Sequence, residues 1–311
     1  MVNAVKEELL DYTKFVGLIK SKITERMGKG YKVKIFKVMK NNSLELDSLV
    51  VLKEGKNFAP NIYLNAYYES YAAGTSIPEI IDRICMIYEY CAVPIVEEDF
   101  DYSLELIKPH IFFRLISLDR NKKLLTQVPY VKFLDLAVTF HCLVRSEEEG
   151  IGTIRITNEH IEQWGISCDE LMELASENTK KLFPPVIRTM EEVINNLLAE
   201  EYPDDEISFC DKSTNEMYPM YILTNEKGIN GAACLLYKDV IREFAQLKNT
   251  DLYILPSSIH EIICIPCNGL EDKELFQRMV MDINRTQVPA EEVLSDNVYM
   301  YSLEKDAIIY Q

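Results

Sequence analysis

The stretch "LYILPSSIHEIICIPC", residues 252–267, predicts a β-hairpin at the centre of a sheet. Two apolar runs flank a polar turn, in which Pro256 fixes φ at the first turn position. The return strand is apolar on both faces, which is typical of a strand that lies between two neighbours. We therefore expect this hairpin to specify how the C-terminal part of the chain folds.

The same turn carries candidate catalytic groups. Ser257 or Ser258 could act as a nucleophile with His260 as its base, since both would lie at the mouth of the hairpin. Glu261 is a candidate acid, but adjacent strand residues point to opposite faces, so it cannot easily orient the His260 ring. The nucleophile elbow Gly-x-Ser-x-Gly is absent from the sequence. The pattern favours a structural turn, and a Ser/His-dependent hydrolase or transferase is the alternative.

The remaining periodicity predicts a mixture of helices and short strands. Helices are predicted over 3–27, 77–90, 158–165, 169–183, 187–199, 237–247 and 271–284, and strands over 31–39, 44–53, 111–118, 134–144, 152–157, 218–223, 231–236 and 297–303. Consecutive strands joined by short turns favour antiparallel pairing. The predicted fold class is therefore α+β, with mainly antiparallel sheets and packed amphipathic helices.

The organisation along the chain suggests three segments. Residues 1–105 hold a helix, a hairpin and a Tyr-rich helical stretch, 106–205 are mixed, and 206–311 contain the 252–266 hairpin. The acidic stretch "EEYPDDE" at 200–206 is the best linker candidate. One continuous unit is the alternative.

Composition and charge narrow the class of protein. Of 311 residues, 48% are hydrophobic and 27% charged, as in soluble globular proteins. Without an apolar run of membrane-spanning length or a signal peptide, the eight scattered cysteines are expected to be reduced thiols of a cytosolic protein. The net charge of −17 disfavours nucleic-acid binding, and acidic mimicry of nucleic acid is a weaker alternative.

Metal, cofactor and redox motifs are incomplete. Cys264 and Cys267 have the spacing of a redox pair, but they do not open a helix and no second pair completes a zinc site. His110, His141 and His160 are isolated, and no nucleotide-binding motif is present. We therefore predict structural thiols and histidines, no metal site and no cofactor.

A tyrosine row in "IYLNAYYESY" is the clearest candidate contact surface. Tyr63, Tyr67 and Tyr71 recur at intervals of four residues, with Tyr68 beside them. Such a helix face is commonly core or interface, because tyrosine combines a large apolar area with a hydroxyl that needs a partner. The more specific alternative is that the row lines a groove for a peptide or a small ligand.

Several stretches together resemble a family of uncharacterised proteins from anaerobic gut-type bacteria, whose domain has no known function. The stretches that carry the resemblance are "KNNSLELDSLVV", "APNIYLNAYYESYAAG", "LDLAVTFHCLV", "WGISCDELMELASENTKKLFPP", "DLYILPSSIHEIICIP" and "VPAEEVLSDNVYMY". The resemblance implies one cytosolic α+β unit over nearly the full length, and it brings no catalytic residue or cofactor. "LPSSIHE" belongs to the family pattern and the 264–267 cysteines do not, which weakens a redox role.

These observations favour a cytosolic binding or regulatory module over an enzyme. No catalytic motif is complete, the surface is acidic, and the tyrosine row offers contact area. The expected partner is a protein or a small molecule.

Overall fold

A computed structural model describes residues 9–55, 59–91, 102–147, 150–201, 219–269 and 273–310. The chain divides into two compact units, one of Met1–Lys40 with Leu44–Phe100 and the other of Asn41–Ser43 with Asp101–Gln311. The three-segment division stays a prediction. Most of the proposed linker at 200–206 lies outside the described residues.

Unit 1 packs helices on a short antiparallel sheet. Its elements are α1 (Tyr12–Met27), β1 (Tyr31–Met39), β2 (Glu45–Lys53), β3 (Ile62–Tyr63), α2 (Leu64–Ala72) and α3 (Ile77–Cys91), with strand order β1-β2-β3. The predicted hairpin is confirmed, with Tyr31 opposite Lys53 and Met39 opposite Glu45.

Helix α1 begins later than the pattern predicts. Asp11 caps it by accepting a hydrogen bond from the Lys14 main-chain N–H at 2.9 Å, and residues 3–8 lie outside the described part of the chain. Phe15, Ile19 and Ile23 are fully buried, whereas Leu9 is exposed. The buried stripe therefore runs at intervals of four residues from Phe15.

Unit 2 contains two antiparallel sheets, which confirms the α+β class. The four-stranded sheet comprises β4 (Ile111–Ser117), β5 (Tyr130–Phe133), β6 (Leu136–Glu147) and β7 (Gly150–Arg155), with β6 pairing all three others. The six-stranded sheet has the order β13-β12-β10-β11-β9-β8, formed by β8 (Pro185–Thr189), β9 (Tyr221–Asn225), β10 (Leu252–Leu255), β11 (Ile262–Pro266), β12 (Tyr299–Ser302) and β13 (Ala307–Tyr310).

The helices of unit 2 pack on these sheets. They are α4 (Leu104–Ile107), α5 (Lys122–Leu125), α6 (Asn158–Trp164), α7 (Cys168–Leu182), α8 (Met190–Glu201), α9 (Val240–Lys248) and α10 (Lys273–Thr286). A capping box begins α7, in which Ser167 and Glu170 exchange side-chain and main-chain hydrogen bonds.

The 252–266 hairpin is central, as predicted. Strand β11 pairs with β10 on one side and with β9 on the other. Ile254 and Cys264 belong to the main core of unit 2, while Leu255 and Ile265 pack with Phe276 of α10. Both faces of the hairpin are therefore covered.

Two local predictions are wrong. The predicted helix over 187–199 begins only at Met190, because "PVIRT" forms the edge strand β8 and Thr189 and Glu192 cap the helix that follows. The predicted strand over 231–236 is a 3₁₀ helix, Gly231–Leu236, whose first residue packs tightly on β9. Strand β13 was not predicted at all.

Candidate functional site

The 256–261 turn is paired with a second segment of the chain. The main-chain N–H groups of Ser295 and Leu294 donate to the carbonyls of Pro256 and Ser257 at 3.0 and 2.9 Å, and the Ile259 N–H donates to the Glu292 carbonyl at 2.9 Å. Ser257 and Ser258 are only 6% and 4% exposed. The turn is consequently part of the core architecture and not a solvent-exposed hairpin tip.

The His260 ring is held by groups other than a serine. Its Nδ1 accepts a hydrogen bond from the main-chain N–H of Asn230 at 3.3 Å, and its Nε2 lies 3.6 Å from Oε1 of Glu292. Ser258 Oγ accepts from the His260 main-chain N–H at 3.0 Å. A general base needs a ring nitrogen directed at the nucleophile, so this arrangement does not favour a Ser258–His260 pair. A catalytic role for the turn stays a prediction.

Glu261 is the last residue of this turn and is partly buried. Burial raises the pKa of the Glu261 carboxyl and so does the charge of Glu292, while His260 and a hydrogen bond from Ser258 act in the opposite direction. The net effect is a raised pKa, because removing a carboxylate from water outweighs its favourable contacts.

We expect Glu261→Gln to remove a pH dependence of stability. A carboxyl with a raised folded-state pKa binds more protons in the folded state, so the free energy of unfolding falls as pH rises above the ordinary value of about 4.5. The Gln variant should lack this fall and gain stability relative to wild type between pH 4 and pH 7. Urea unfolding at both pH values measures it, with exposed Glu243→Gln as the control. Equal pH slopes for wild type and Glu261→Gln would contradict the assignment.

A second polar cluster surrounds Asp135 in the turn between β5 and β6. Its Oδ2 accepts hydrogen bonds from Ser295 Oγ at 2.6 Å and from Asn297 Nδ2 at 2.9 Å, and its Oδ1 accepts one from the Tyr299 hydroxyl. Burial alone would raise the pKa of Asp135, but these hydrogen bonds and one from Tyr310 lower it. The carboxylate is fully engaged, which indicates a structural role.

An open groove of about 540 Å³ lies between β8 and α9. Its residues are Pro185, Ile187, Thr189, Glu192, Tyr221, Val240, Glu243, Phe244, Leu247 and Lys248. Alternate residues of β8 form one wall, as expected for one face of a strand, and α9 forms the other. Leu247 is 77% exposed at the mouth, so the groove presents a large apolar side chain to solvent.

The charged groups of the groove are unequally engaged. Lys248 Nζ donates to the Tyr221 hydroxyl at 2.7 Å and lies 4.1 and 5.5 Å from the ring centres of Tyr221 and Phe244. Glu192 accepts from the Thr189 main-chain N–H at 2.9 Å. Glu243 is exposed and forms no ion pair within the described ranges. The charge left available at the rim is therefore negative.

A smaller cavity of about 240 Å³ lies between α9 and the edge strand β13. Arg242 there pairs with Asp239 at 2.5 Å and with Asp306 at 3.4 Å, and Asp306 accepts a hydrogen bond from Tyr301. Its charged groups satisfy one another, so it is less suited than the groove to a charged ligand.

The tyrosine row lies in unit 1 and is partly buried. Tyr68 donates to the Leu10 carbonyl at 3.0 Å, the Leu10 N–H donates to Tyr71 at 3.2 Å, and both rings pack 5.3 Å from Phe15. Tyr67 packs against the same core, and Tyr63 faces Lys40, whose Nζ lies 4.1 Å from its ring centre. These contacts serve the fold, and a binding role for the row stays a prediction.

The other motifs from the sequence have mainly structural surroundings. Cys264 is fully buried, and burial raises the pKa of its thiol to about 12, the opposite of a reactive cysteine. His160 accepts from the Thr157 main-chain N–H at 3.0 Å and stacks on Trp164. Over the described ranges, no three His, Cys, Asp or Glu side chains cluster closely enough to hold a metal ion. No helix in the described part of the chain is long and apolar enough to cross a lipid bilayer.

Comparison with known families adds one finding. The model of a family of unknown function, DUF5688, matches residues 12–303, from the start of α1 to just beyond β12. The chain belongs to this family. No curated protein and no solved structure matches it. Because DUF5688 has no assigned activity, membership supports the predicted near full-length resemblance and assigns no function to any residue.

The sequence did not reveal the groove of this DUF5688 protein. The sequence pattern predicts a helix from residue 187, where the structure has β8, and it predicts α9 without indicating that Leu247 is exposed. The available signal was "PVIRT", a run rich in β-branched residues that follows Pro184 and ends at the capping residue Thr189. A strand followed directly by a capped helix would have assigned Ile187 to a strand, where the structure has it.

Proposed function

We propose that the protein is a non-enzymatic binding module of the cytosol, which takes an extended peptide segment of a partner protein into the groove between β8 and α9. The observation that carries the proposal is the exposure of Leu247, 77%, beside a floor formed by Ile187, Tyr221 and Phe244. An exposed apolar groove with a polar rim is typical of interaction sites. Buried thiols such as Cys234 support a reducing compartment.

The position of β8 favours an extended occupant. It is the last strand of the six-stranded sheet, and within the described residues only β9 pairs with it. A peptide strand added at such an edge gains main-chain hydrogen bonds, and its alternate side chains can enter an adjoining groove. A helical ligand would leave the β8 main-chain groups unused.

The charges favour a basic peptide with alternating apolar residues. Lys248 is already held by Tyr221 and Phe244, while Glu243 at the rim has no described partner. The whole chain carries a net charge of −17, which steers cationic partners towards it. We therefore expect a Lys or Arg of the peptide to face Glu243.

Fewer observations support the alternative functions. In the 256–261 turn, the His260 ring is directed at Asn230 and Glu292, which weakens a hydrolase or transferase reading. The hydroxyls of Tyr68 and Tyr71 are engaged with Leu10, which leaves less of the tyrosine row for a partner. For acidic mimicry of nucleic acid, the described part of the chain offers no contact in its favour.

We expect peptides selected from a displayed random library against the full chain to lose binding in Leu247→Asp. A charge in place of this apolar side chain removes an apolar contact at the groove, so affinity should fall roughly tenfold or more. Leu247 is so exposed that the change should leave the fold intact, which circular dichroism checks.

The matched control is Met281→Glu, which changes another exposed apolar residue, 52% exposed, on α10. It should bind the selected peptides like wild type. If no peptide is enriched, or if the selected peptides bind Leu247→Asp as tightly as Met281→Glu, the groove is not the binding site.

A further inference from the structure

One face of the four-stranded sheet gathers two arginines and a histidine. In the strand registers, Arg114 of β4 lies opposite Thr139 of β6, and His141 of β6 lies opposite Arg155 of β7. Residues directly opposite each other share a face, and alternate residues along β6 do so too. Thr153 of β7 lies on this face as well, since its hydroxyl contacts Arg114.

The Arg114 guanidinium is only partly satisfied. Its Nη2 donates to His141 Nδ1 at 2.5 Å and to Thr153 Oγ1 at 3.3 Å, while its Nε is buried without a hydrogen-bond partner. Burial lowers the pKa of Arg114 to about 9, and the neighbouring charge of Arg155 acts in the same direction. Arg114 nevertheless remains a cation at neutral pH.

His141 contributes a neutral ring to this cluster. It is 2% exposed, and burial lowers its pKa well below the usual value, with Arg114 and Arg155 adding to the effect. Because Nδ1 accepts from Arg114, the ring proton lies on Nε2, which is 3.4 Å from Thr139 Oγ1. The ring therefore positions the guanidinium and carries no charge of its own.

Among the described residues, no carboxylate compensates the charge of this cluster. The chain has 50 Asp and Glu residues, yet within the described ranges neither Arg114 nor Arg155 forms an ion pair with any of them. A buried cation without a counter-charge is costly, and two neighbouring cations repel each other as well. An anion between the two guanidinium groups would relieve both penalties.

We propose that this face is a phosphate-binding site formed by Arg114, Arg155 and the Thr153 hydroxyl. Guanidinium groups bind phosphate through paired N–H donors, and hydroxyls add further donors. A phosphate dianion matches the two positive charges, whereas one carboxylate would neutralise only one. The ligand class is a small molecule that bears a phosphate group. The site lies on a different sheet from the groove, so neither proposal depends on the other.

The test is titration of the full chain with inorganic phosphate by calorimetry, beside succinate and sodium chloride at matched ionic strength. Wild type should bind phosphate and respond weakly to the other salts. Arg155→Gln should weaken phosphate binding at least tenfold. Because the Arg155 side chain is exposed, the substitution should leave the fold intact. Arg114→Gln should abolish binding.

The matched control is Arg188→Gln, an exposed strand arginine on β8 of the other sheet, which should bind phosphate like wild type. Phosphate should also shift the ring resonances of His141 in wild type, since that ring contacts Arg114. No phosphate binding by wild type, equal binding by Arg155→Gln and Arg188→Gln, or binding of succinate in place of phosphate would overturn the proposal.

Discussion

Gly231→Ala is expected to lower the free energy of unfolding of unit 2 by more than about 3 kcal/mol. A Cβ at this position would lie 2.1 Å from Thr224 Oγ1, 2.4 Å from the His260 carbonyl oxygen and 2.9 Å from the Asn225 nitrogen. Two of these atoms are main chain and cannot rotate away. The 3₁₀ helix would have to lift off β9, and the Asn230–His260 hydrogen bond would be lost with it.

Trp164, the only tryptophan, lies in unit 2, so its fluorescence during urea unfolding measures this change. The matched control is Gly228→Ala, where a Cβ meets no atom within 4 Å and only a positive φ of 64° opposes the change. That variant should lose roughly 1 kcal/mol. Losses of equal size in the two variants would show that Gly231 is not required for close packing.

Asp135→Asn is expected to cost roughly 2–4 kcal/mol, because it replaces a carboxylate that accepts hydrogen bonds from Ser295, Asn297 and Tyr299. An amide presents a donor where the carboxylate accepts, so at least one of these contacts is lost. These bonds join the turn between β5 and β6 to the segment that pairs with the 256–261 turn. The substitution should therefore destabilise both the turn between β5 and β6 and the segment that it holds.

The pH dependence provides a second readout for Asp135. Its folded-state pKa is lowered, so its contribution to stability is present above the ordinary value of 3.8 and is lost as pH falls through the folded-state pKa. Asp135→Asn should lack that loss in acid. The control is Asp282→Asn, an exposed residue whose pair with Arg285 should matter by less than about 0.5 kcal/mol. Equal stability of the two variants would contradict the assigned network.

The central hairpin could be predicted from sequence because both of its strands are continuously apolar. Leu252–Leu255 and Ile262–Pro266 occupy the predicted positions, and β11 is central. The pairing of Ser257 with Leu294 and of Ser258 with Val293 could not be predicted, since it joins residues 35 or more positions apart without a local pattern. The serines are consequently buried by a tertiary contact that the local sequence does not encode.

Short apolar runs caused the wrong assignments. "GAACLL" at 231–236 has no alternation that separates a strand from a 3₁₀ helix, and the deciding contact is between Gly231 and the main chain of β9 and His260. The role of Arg114 could not be predicted for a different reason. A single arginine in the apolar strand "IFFRLIS" acquires meaning only when the register brings it to His141 and Arg155.

The most direct test of the binding module is a charge-swap cycle between Glu243 and the basic residue of a groove-selected peptide, measured by calorimetry. Glu243→Lys alone and the Lys→Glu peptide alone should each weaken binding roughly tenfold, because like charges then meet at the rim. Combining the two changes should restore most of the wild-type affinity. If the doubly changed pair binds no more tightly than the singly changed pair with the lower affinity, the peptide does not lie against α9 and the proposed function is wrong.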